Sequence, residues 1–123
     1  MKPMITVYHY PACSTCKKAI AWLKAKKVDF KLVPIVEQPP SAATLSKVLK
    51  ATGLPVSKLF NTSGQLYREG NYKEKLASMT EAEALAALAA HGKLIKRPLV
   101  LGEGKKGPVH LLGFKETDYL TAF

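Results

Sequence analysis

The hydrophobic and polar positions change their period within the first 25 residues. Residues 5–9, ITVYH, are rich in β-branched and aromatic side chains, which predicts a short strand. Pro11 ends this strand, because proline cannot donate a hydrogen bond to a neighbouring strand. From Cys13 onward the period is helical, with apolar residues at Cys16, Ala19, Ile20 and Leu23. The pattern predicts a strand, a tight turn and a helix that ends near residues 26–27.

The rest of the chain continues with a second strand and then a helical stretch. The second strand is predicted at residues 30–33, parallel to the first. Ser41 and the T-x-x-E box at Thr80 are expected to cap helices, and Gly53 to end one. The helical segments are predicted at residues 42–51, 55–59, 72–76 and 84–90, with Leu45, Val48, Leu49, Leu85 and Leu88 in the core.

The C-terminal part is predicted to form a hairpin followed by a short helix. Its strands are expected at residues 99–101 and 109–112, joined by a turn at residues 102–108, with the helix at residues 115–122. The element order is therefore β-α-β, a helical insertion, then β-β-α. This is the thioredoxin-like α/β layout, in which Pro98 is expected to be cis and to face the cysteine site. We predict one domain, residues 1–123, with the insert at about residues 38–93.

Length and composition are consistent with one folded domain. The chain has 123 residues, of which 47% are hydrophobic, enough for a core. Two cysteines are too few for a secreted disulfide framework, which favours a reducing compartment. The first four residues lack the apolar stretch of a signal peptide, and no apolar run is long enough to span a bilayer. We therefore expect a cytoplasmic protein that does not bind membranes.

The chain is strongly basic, with 19 basic and 9 acidic residues and a net charge of +10. Of the 19, 17 are lysines spread along the chain, and only Arg68 and Arg97 are arginines. Base reading and bidentate phosphate binding favour arginine, so we interpret most lysines as solvated and expect no direct DNA binding. The positive field still favours the approach of an anionic substrate, such as glutathione or an oxyanion.

Cys13 and Cys16 form a C-x-x-C pair at the start of the first predicted helix. Backbone N–H groups at a helix start stabilise an anion, and Lys17 and Lys18 add positive charge. A thiol at this position should ionise more readily than a free cysteine, and the thiolate is the nucleophile. We therefore predict that Cys13 is the attacking catalytic cysteine and that Cys16, one turn further along, is the resolving one.

Three other uses of cysteine fit the chain less well. Structural zinc usually needs four Cys or His ligands, and His9, His91 and His110 lack finger-like spacing, so we expect no metal. Haem attachment needs a histidine where Lys17 stands. A phosphatase loop of the C-x5-R kind needs an arginine where Ala19 stands.

Four segments resemble the arsenate reductase (ArsC)/Spx family. They follow the family's order and together cover nearly the whole chain. The likeness is to the branch that carries C-x-x-C and has reductase-like members. The segments are residues 8–19 (YHYPACSTCKKA), 59–64 with 67–69 (LFNTSG and YRE), 95–100 (IKRPLV) and 113–115 (GFK).

The resemblance implies an oxyanion or thiol substrate. The resemblance to the glutaredoxin-coupled arsenate reductases implies that Cys13 attacks arsenate, that glutathione resolves the adduct, and that arginines hold the oxyanion. Arg97 matches one of these arginines. The second falls near Asn61 and the third near Lys115, and Arg68 is an alternative ligand that the sequence does not place.

The resemblance also implies the remaining site residues and the partners. Ser14 and Thr15 at the helix start, with Arg97 and Pro98, are expected to bind the substrate. The favoured function is a thiol–disulfide oxidoreductase with no bound cofactor, whose electron donor is glutathione or a thioredoxin or glutaredoxin. The alternatives are an Spx-like redox sensor that binds the RNA polymerase alpha subunit, and a true arsenate reductase.

Overall fold

The computed structural model describes residues 4–123, which fall into two compact units. The first unit holds the chain up to Pro34 together with Arg97–Phe123, and the second is Ile35–Lys96. The predicted insert, about residues 38–93, lies within the second unit, and the assignment of a single domain stays a prediction. The expectation that no signal peptide is present depends on residues 1–3, which lie outside the described residues.

The described residues form four strands and six α-helices. The strands are β1 (Met4–His9), β2 (Lys31–Pro34), β3 (Leu99–Gly104) and β4 (Gly107–Leu112). The helices are α1 (Ser14–Ala25), α2 (Ala42–Thr52), α3 (Gln65–Glu69), α4 (Tyr72–Lys75), α5 (Glu81–Ala90) and α6 (Glu116–Ala122).

The first unit is built on a four-stranded sheet with the order β2-β1-β3-β4. Strand β1 pairs with β2 in parallel, with Val7 opposite Leu32, and with β3 in antiparallel fashion, with Val7 opposite Val100. Strands β3 and β4 form an antiparallel hairpin. The predicted parallel first pair and terminal hairpin are confirmed, and the fold is thioredoxin-like.

The core of the first unit lies between the sheet and its helices. Cys16, Ala19 and Leu23 are buried as predicted, whereas Ile20 is only partly buried. Trp22 is buried in addition, and its indole N–H is satisfied by donating to Glu116 Oε2 at 3.1 Å. The buried cluster consists of Ile5, Val7, Ala19, Trp22, Leu23, Val100, Val109 and Tyr119.

The β3–β4 hairpin is tighter than the sequence pattern suggests. The predicted turn at residues 102–108 is wrong, because β3 continues to Gly104 and β4 begins at Gly107. Gly102 lies inside β3 with φ +145°, and a Cβ there would overlap the carbonyl oxygen of Met4. Glycine at this position allows the close approach of the neighbouring strand, and it does not mark a turn.

The second unit consists of short helices whose ends are set by local signals. The Ser41 hydroxyl accepts from the Thr44 N–H at 3.1 Å, and Gly53 ends α2 in the left-handed conformation. The predicted capping box of Thr80 and Glu83 is present at α5. Helices α2 and α5 contact each other, and the predicted core residues on them are buried: Leu45, Val48, Leu49, Leu85 and Leu88. Ala84 of α5 is buried in addition.

The prediction missed α3, a helix of five residues. Its N-cap is Gly64, which provides no side-chain hydrogen bond, so the usual capping signal is absent. The residues after Pro55 form a 3₁₀ turn, Val56–Leu59, at the place where a short helix is predicted. Among residues 4–123, no helix combines the length and apolar character needed to cross a membrane.

Candidate active site

Cys13 occupies the N-cap position of α1. The turn before it is closed by its backbone N–H, which donates to the Tyr10 carbonyl at 3.0 Å. Its backbone is extended (φ −84°, ψ 113°), as an N-cap requires, and its Sγ takes the part that a serine or aspartate oxygen usually plays. The predicted position at the mouth of the first helix is confirmed.

The two cysteines contact each other and have different exposure. The backbone N–H of Cys16 donates to Cys13 Sγ at 3.2 Å. The two cysteines are not joined by a disulfide, and Cys13 is partly exposed whereas Cys16 is only 1% exposed. The N–H of Cys16 therefore supplies one of the helix-start donors to the outer sulfur, and the inner sulfur is shielded from solvent.

The environment of Cys16 favours its neutral thiol. Burial raises the pKa of Cys16 to about 12, and its interaction with the Cys13 side chain adds to this. A hydrogen bond from the backbone of Tyr10 and the charge of Arg97 act in the opposite direction and lower it. The inner cysteine therefore remains protonated at neutral pH, although two groups are in place to stabilise its thiolate.

Arg97 and Pro98 lie on the segment that leads into β3. The peptide bond between them is cis, as the layout predicts. The Arg97 guanidinium lies over the Tyr10 ring, with its carbon 4.7 Å from the ring centroid. Because the charge of Arg97 also acts on Cys16, this guanidinium and the cysteine pair belong to one cluster.

A relay of hydrogen bonds connects α6 to this segment. The Tyr119 hydroxyl donates to the Gly113 carbonyl at 2.9 Å, and the Gly113 N–H donates to the Pro98 carbonyl at 2.8 Å. Burial, followed by the charge of Cys16, raises the pKa of Tyr119, so its hydroxyl keeps the proton that it donates. Tyr119 thus anchors the backbone next to Arg97.

Two residues at the site, Tyr10 and Tyr119, were not singled out from the sequence. Tyr10 lies three residues before the C-x-x-C motif and next to Pro11, and this proximity is the one signal that the sequence offers. Tyr119 carries no motif, since its contribution depends on the distant residues Gly113 and Pro98.

The other predicted substrate-binding residues lie at the helix start. Ser14 and Thr15 form the first turn of α1, and both side chains are exposed. Their position next to Cys13 agrees with a binding role, which stays a prediction. Lys17 and Lys18 follow and are also exposed.

The three further oxyanion candidates are divided between the units. Lys115 lies in the first unit as the exposed N-cap of α6. Asn61 and Arg68 lie in the second unit, where the Arg68 guanidinium donates to the Ser63 carbonyl at 3.4 Å. Among the expected oxyanion ligands, Arg97 lies in the first unit and its charge acts on Cys16.

Metal ligands are not assembled in the described part of the chain. No group of three or more His, Cys, Asp or Glu side chains there is arranged to hold a metal ion.

Comparison with known proteins identifies the family. The sequence model of the ArsC family matches residues 8–122. The chain belongs to the ArsC family. It is 47% identical over 115 residues to the uncharacterized protein YusI of Bacillus subtilis, with 94% of each chain covered. It superposes on the crystal structure of an ArsC family related protein from Bacteroides fragilis with a TM-score of 0.88 and 41% identity, covering 100% of this chain and 98% of that one.

Relatives with assigned functions divide between two kinds of protein. An arsenate reductase from Rhizobium meliloti is 31% identical over 97 residues, covering 79% of this chain and 68% of the relative. The global transcriptional regulator Spx of Bacillus subtilis is 26% identical over 100 residues, covering 81% and 75%. The family is therefore certain, and the function within it must be argued from the site.

Proposed function

We propose that the chain is a thiol–disulfide oxidoreductase that uses Cys13 as nucleophile and Cys16 as resolving cysteine. The observation that carries this proposal is the asymmetry of the pair. The outer sulfur is accessible and accepts a backbone N–H, whereas the inner sulfur is buried and stays protonated. An attacking thiol needs access to substrate, and a resolving thiol needs to remain unreactive until the adduct forms.

The first step is attack by the Cys13 thiolate on one sulfur of a substrate disulfide or glutathione adduct. A bond forms between Cys13 Sγ and that sulfur, the substrate S–S bond breaks, and the other sulfur leaves as a thiolate. The N–H of Cys16 remains aimed at Cys13 Sγ at 3.2 Å and stabilises its charge before the attack.

In the second step Cys16 loses its proton to solvent and attacks the Cys13 sulfur. The remaining substrate half leaves as a thiolate, and a Cys13–Cys16 disulfide forms, so two electrons have passed to the substrate. Once Cys13 is in the mixed disulfide, its contribution to the raised pKa of Cys16 disappears. The hydrogen bond from Tyr10 and the charge of Arg97 then favour the attacking thiolate.

We assign substrate binding to Arg97 and to the start of α1, which lie next to the cysteine pair. Arg97 would hold an anionic portion of the substrate, and the start of α1 at Ser14 and Thr15 would present backbone N–H groups to it. Pro98 follows Arg97 on the same segment. An external thiol, either glutathione or a thioredoxin or glutaredoxin, would reduce the internal disulfide and be oxidised itself; no bound cofactor is required.

The test is to mix reduced protein with bis(2-hydroxyethyl) disulfide and to measure intact mass over time. Wild-type protein should form the internal disulfide, Cys16→Ser should stop at the covalent adduct on residue 13, and Cys13→Ser should react at least about a thousandfold more slowly than wild type. An adduct on Cys16 in the Cys13→Ser variant at the wild-type rate would overturn the assignment.

The similarity to Spx supports a second candidate, a redox sensor that binds the RNA polymerase alpha subunit. The same cysteine pair would then change a binding surface and would not turn over a substrate. Pull-down of the alpha subunit with reduced and with oxidised protein tests this candidate, and equal absence of binding in both states would eliminate it.

Arsenate reduction is a third candidate. It is supported by the similarity to the arsenate reductase of Rhizobium meliloti and by the charge of Arg97, which acts on Cys16. Asn61 and Lys115 stand where that activity would call on further arginines, and neither offers a bidentate guanidinium. Absence of arsenite formation with glutathione and glutaredoxin supplied would end this version.

A further inference from the structure

Tyr10 contacts more than one part of the candidate site. Its carbonyl accepts the Cys13 N–H at 3.0 Å and so closes the turn that presents the outer cysteine. Its backbone lowers the pKa of Cys16, and its ring lies under the Arg97 guanidinium at 4.7 Å. One residue therefore contacts the outer cysteine and the cation that is expected to bind substrate, and it also affects the inner cysteine.

We propose that Tyr10 is a positioning residue that holds the Arg97 guanidinium beside the cysteine pair and thereby gives the site its preference for anionic disulfides. This inference rests on the proposed function and goes beyond it, because it names the chemical class of the preferred substrate and the residue that sets the preference.

The geometry of the contact explains how a ring can orient this cation. A guanidinium that stacks on an aromatic ring uses its flat face, whereas its N–H donors lie in its plane and point sideways. The attraction to the ring therefore restricts the positions that the long Arg97 side chain can take and keeps its guanidinium over Tyr10. A cation over a ring at 4.7 Å lies well within the usual limit of about 6 Å for this attraction.

The position of Tyr10 also explains why the effect is directed at the reacting sulfurs. The residue lies three positions before Cys13, in the turn that α1 closes, so its backbone is held by the same hydrogen bonds as the nucleophile. An anion bound by Arg97 is consequently held near the cysteines, and loss of the ring should reduce the site's discrimination between anionic and neutral substrates.

The test compares an anionic disulfide, 5,5′-dithiobis(2-nitrobenzoate), with a neutral one, 2,2′-dithiodipyridine. Both release a chromophore when Cys13 attacks, so the ratio of their second-order rate constants measures anion preference. We expect Tyr10→Leu to lower this ratio about three- to tenfold, and Tyr10→Phe, which keeps the ring, to keep the wild-type ratio. Raising the ionic strength should reduce the wild-type ratio, because salt screens the attraction.

Two further variants separate the role of the ring from a general loss of charge. Arg97→Met should lower the ratio at least as far as Tyr10→Leu, and the double variant should lose no more than Arg97→Met alone, because the two residues act as one unit. Lys105→Met removes one positive charge from the β3–β4 turn, at the other end of the strand, and is the matched control for charge. An additive double variant, or a wild-type ratio in Tyr10→Leu, would overturn the inference.

A second measurement does not depend on the chemistry. The Arg97 Hε proton should show an upfield ring-current shift in the NMR spectrum of wild type and of Tyr10→Phe, and this shift should be lost in Tyr10→Leu. Failure of wild type to react with either disulfide would contradict the proposed function, whereas an Arg97 signal that is the same in all three proteins would contradict the placement of Tyr10.

Discussion

The two units of the chain are stabilised in different ways. The first has all the described strands, and its core depends on contacts between residues far apart in sequence, such as Trp22 with Glu116. The second consists of short helices that begin and end at local caps, such as Thr80 with Glu83. The residues that we place in the chemistry all lie in the first unit: Tyr10, Cys13, Ser14, Thr15, Cys16, Arg97 and Pro98. This contrast suggests that chemistry and stability respond to different substitutions.

The largest effect on stability is expected in the second unit. Leu88→Ala removes a fully buried side chain of α5 and should lower the free energy of unfolding by about 2–5 kcal/mol. The rate of disulfide exchange by the folded protein should stay at the wild-type value. Denaturant unfolding and exchange with 2,2′-dithiodipyridine measure the two effects, and Ala86→Ser on the exposed side of the same helix is the control. A reduced exchange rate in folded Leu88→Ala would break the contrast between the units.

A large pH effect is expected in the first unit. Because burial, the first cause of the raised pKa of Cys16, persists in the mixed disulfide, the thiolate fraction of Cys16 there is small at neutral pH and rises about tenfold for each pH unit. The second chromophore release from 5,5′-dithiobis(2-nitrobenzoate), which reports the attack by Cys16, should therefore accelerate about a hundredfold from pH 6 to pH 8. Stopped-flow absorbance measures it, and Cys16→Ser should lack this phase. A plateau below pH 7 would contradict the raised pKa.

A smaller effect is expected at Tyr119. Replacement by Phe keeps the ring but leaves the Gly113 carbonyl without its donor, which should cost about 1–3 kcal/mol of unfolding free energy. If the relay to Pro98 positions Arg97, the same variant should also raise the KM for an anionic disulfide while changing kcat little. Steady-state kinetics on the anionic and the neutral disulfide separate these outcomes. An equal change in KM for the two disulfides would show that Tyr119 has only a structural role.

Features determined by nearby residues could be predicted from the sequence. The capped ends of α2 and α5 and the position of Cys13 before α1 each depend on residues within about one helical turn, and all three are confirmed. The predictions failed where distant chain segments decide. Gly102 was placed in a turn because glycine usually marks one, whereas it lies in β3 against the carbonyl of Met4.

The candidate site divides along the same line. The identity of the cysteine pair and of Arg97 followed from short motifs. The contact of the Arg97 guanidinium with the Tyr10 ring joins segments that are about 90 residues apart in the sequence. The relay from Tyr119 through Gly113 to Pro98 spans about 20 residues. No periodicity or spacing in the sequence reports such contacts.

By itself the sequence determined which atoms are available for the chemistry: two sulfurs one helical turn apart, a helix start and a guanidinium before a proline. The tertiary structure alone decided that these groups differ from one another, with one sulfur accessible and the other buried and protonated. The physical reason is that a pKa depends on desolvation and on nearby charge, and both arise only when the sheet, α1 and the Arg97 segment pack together.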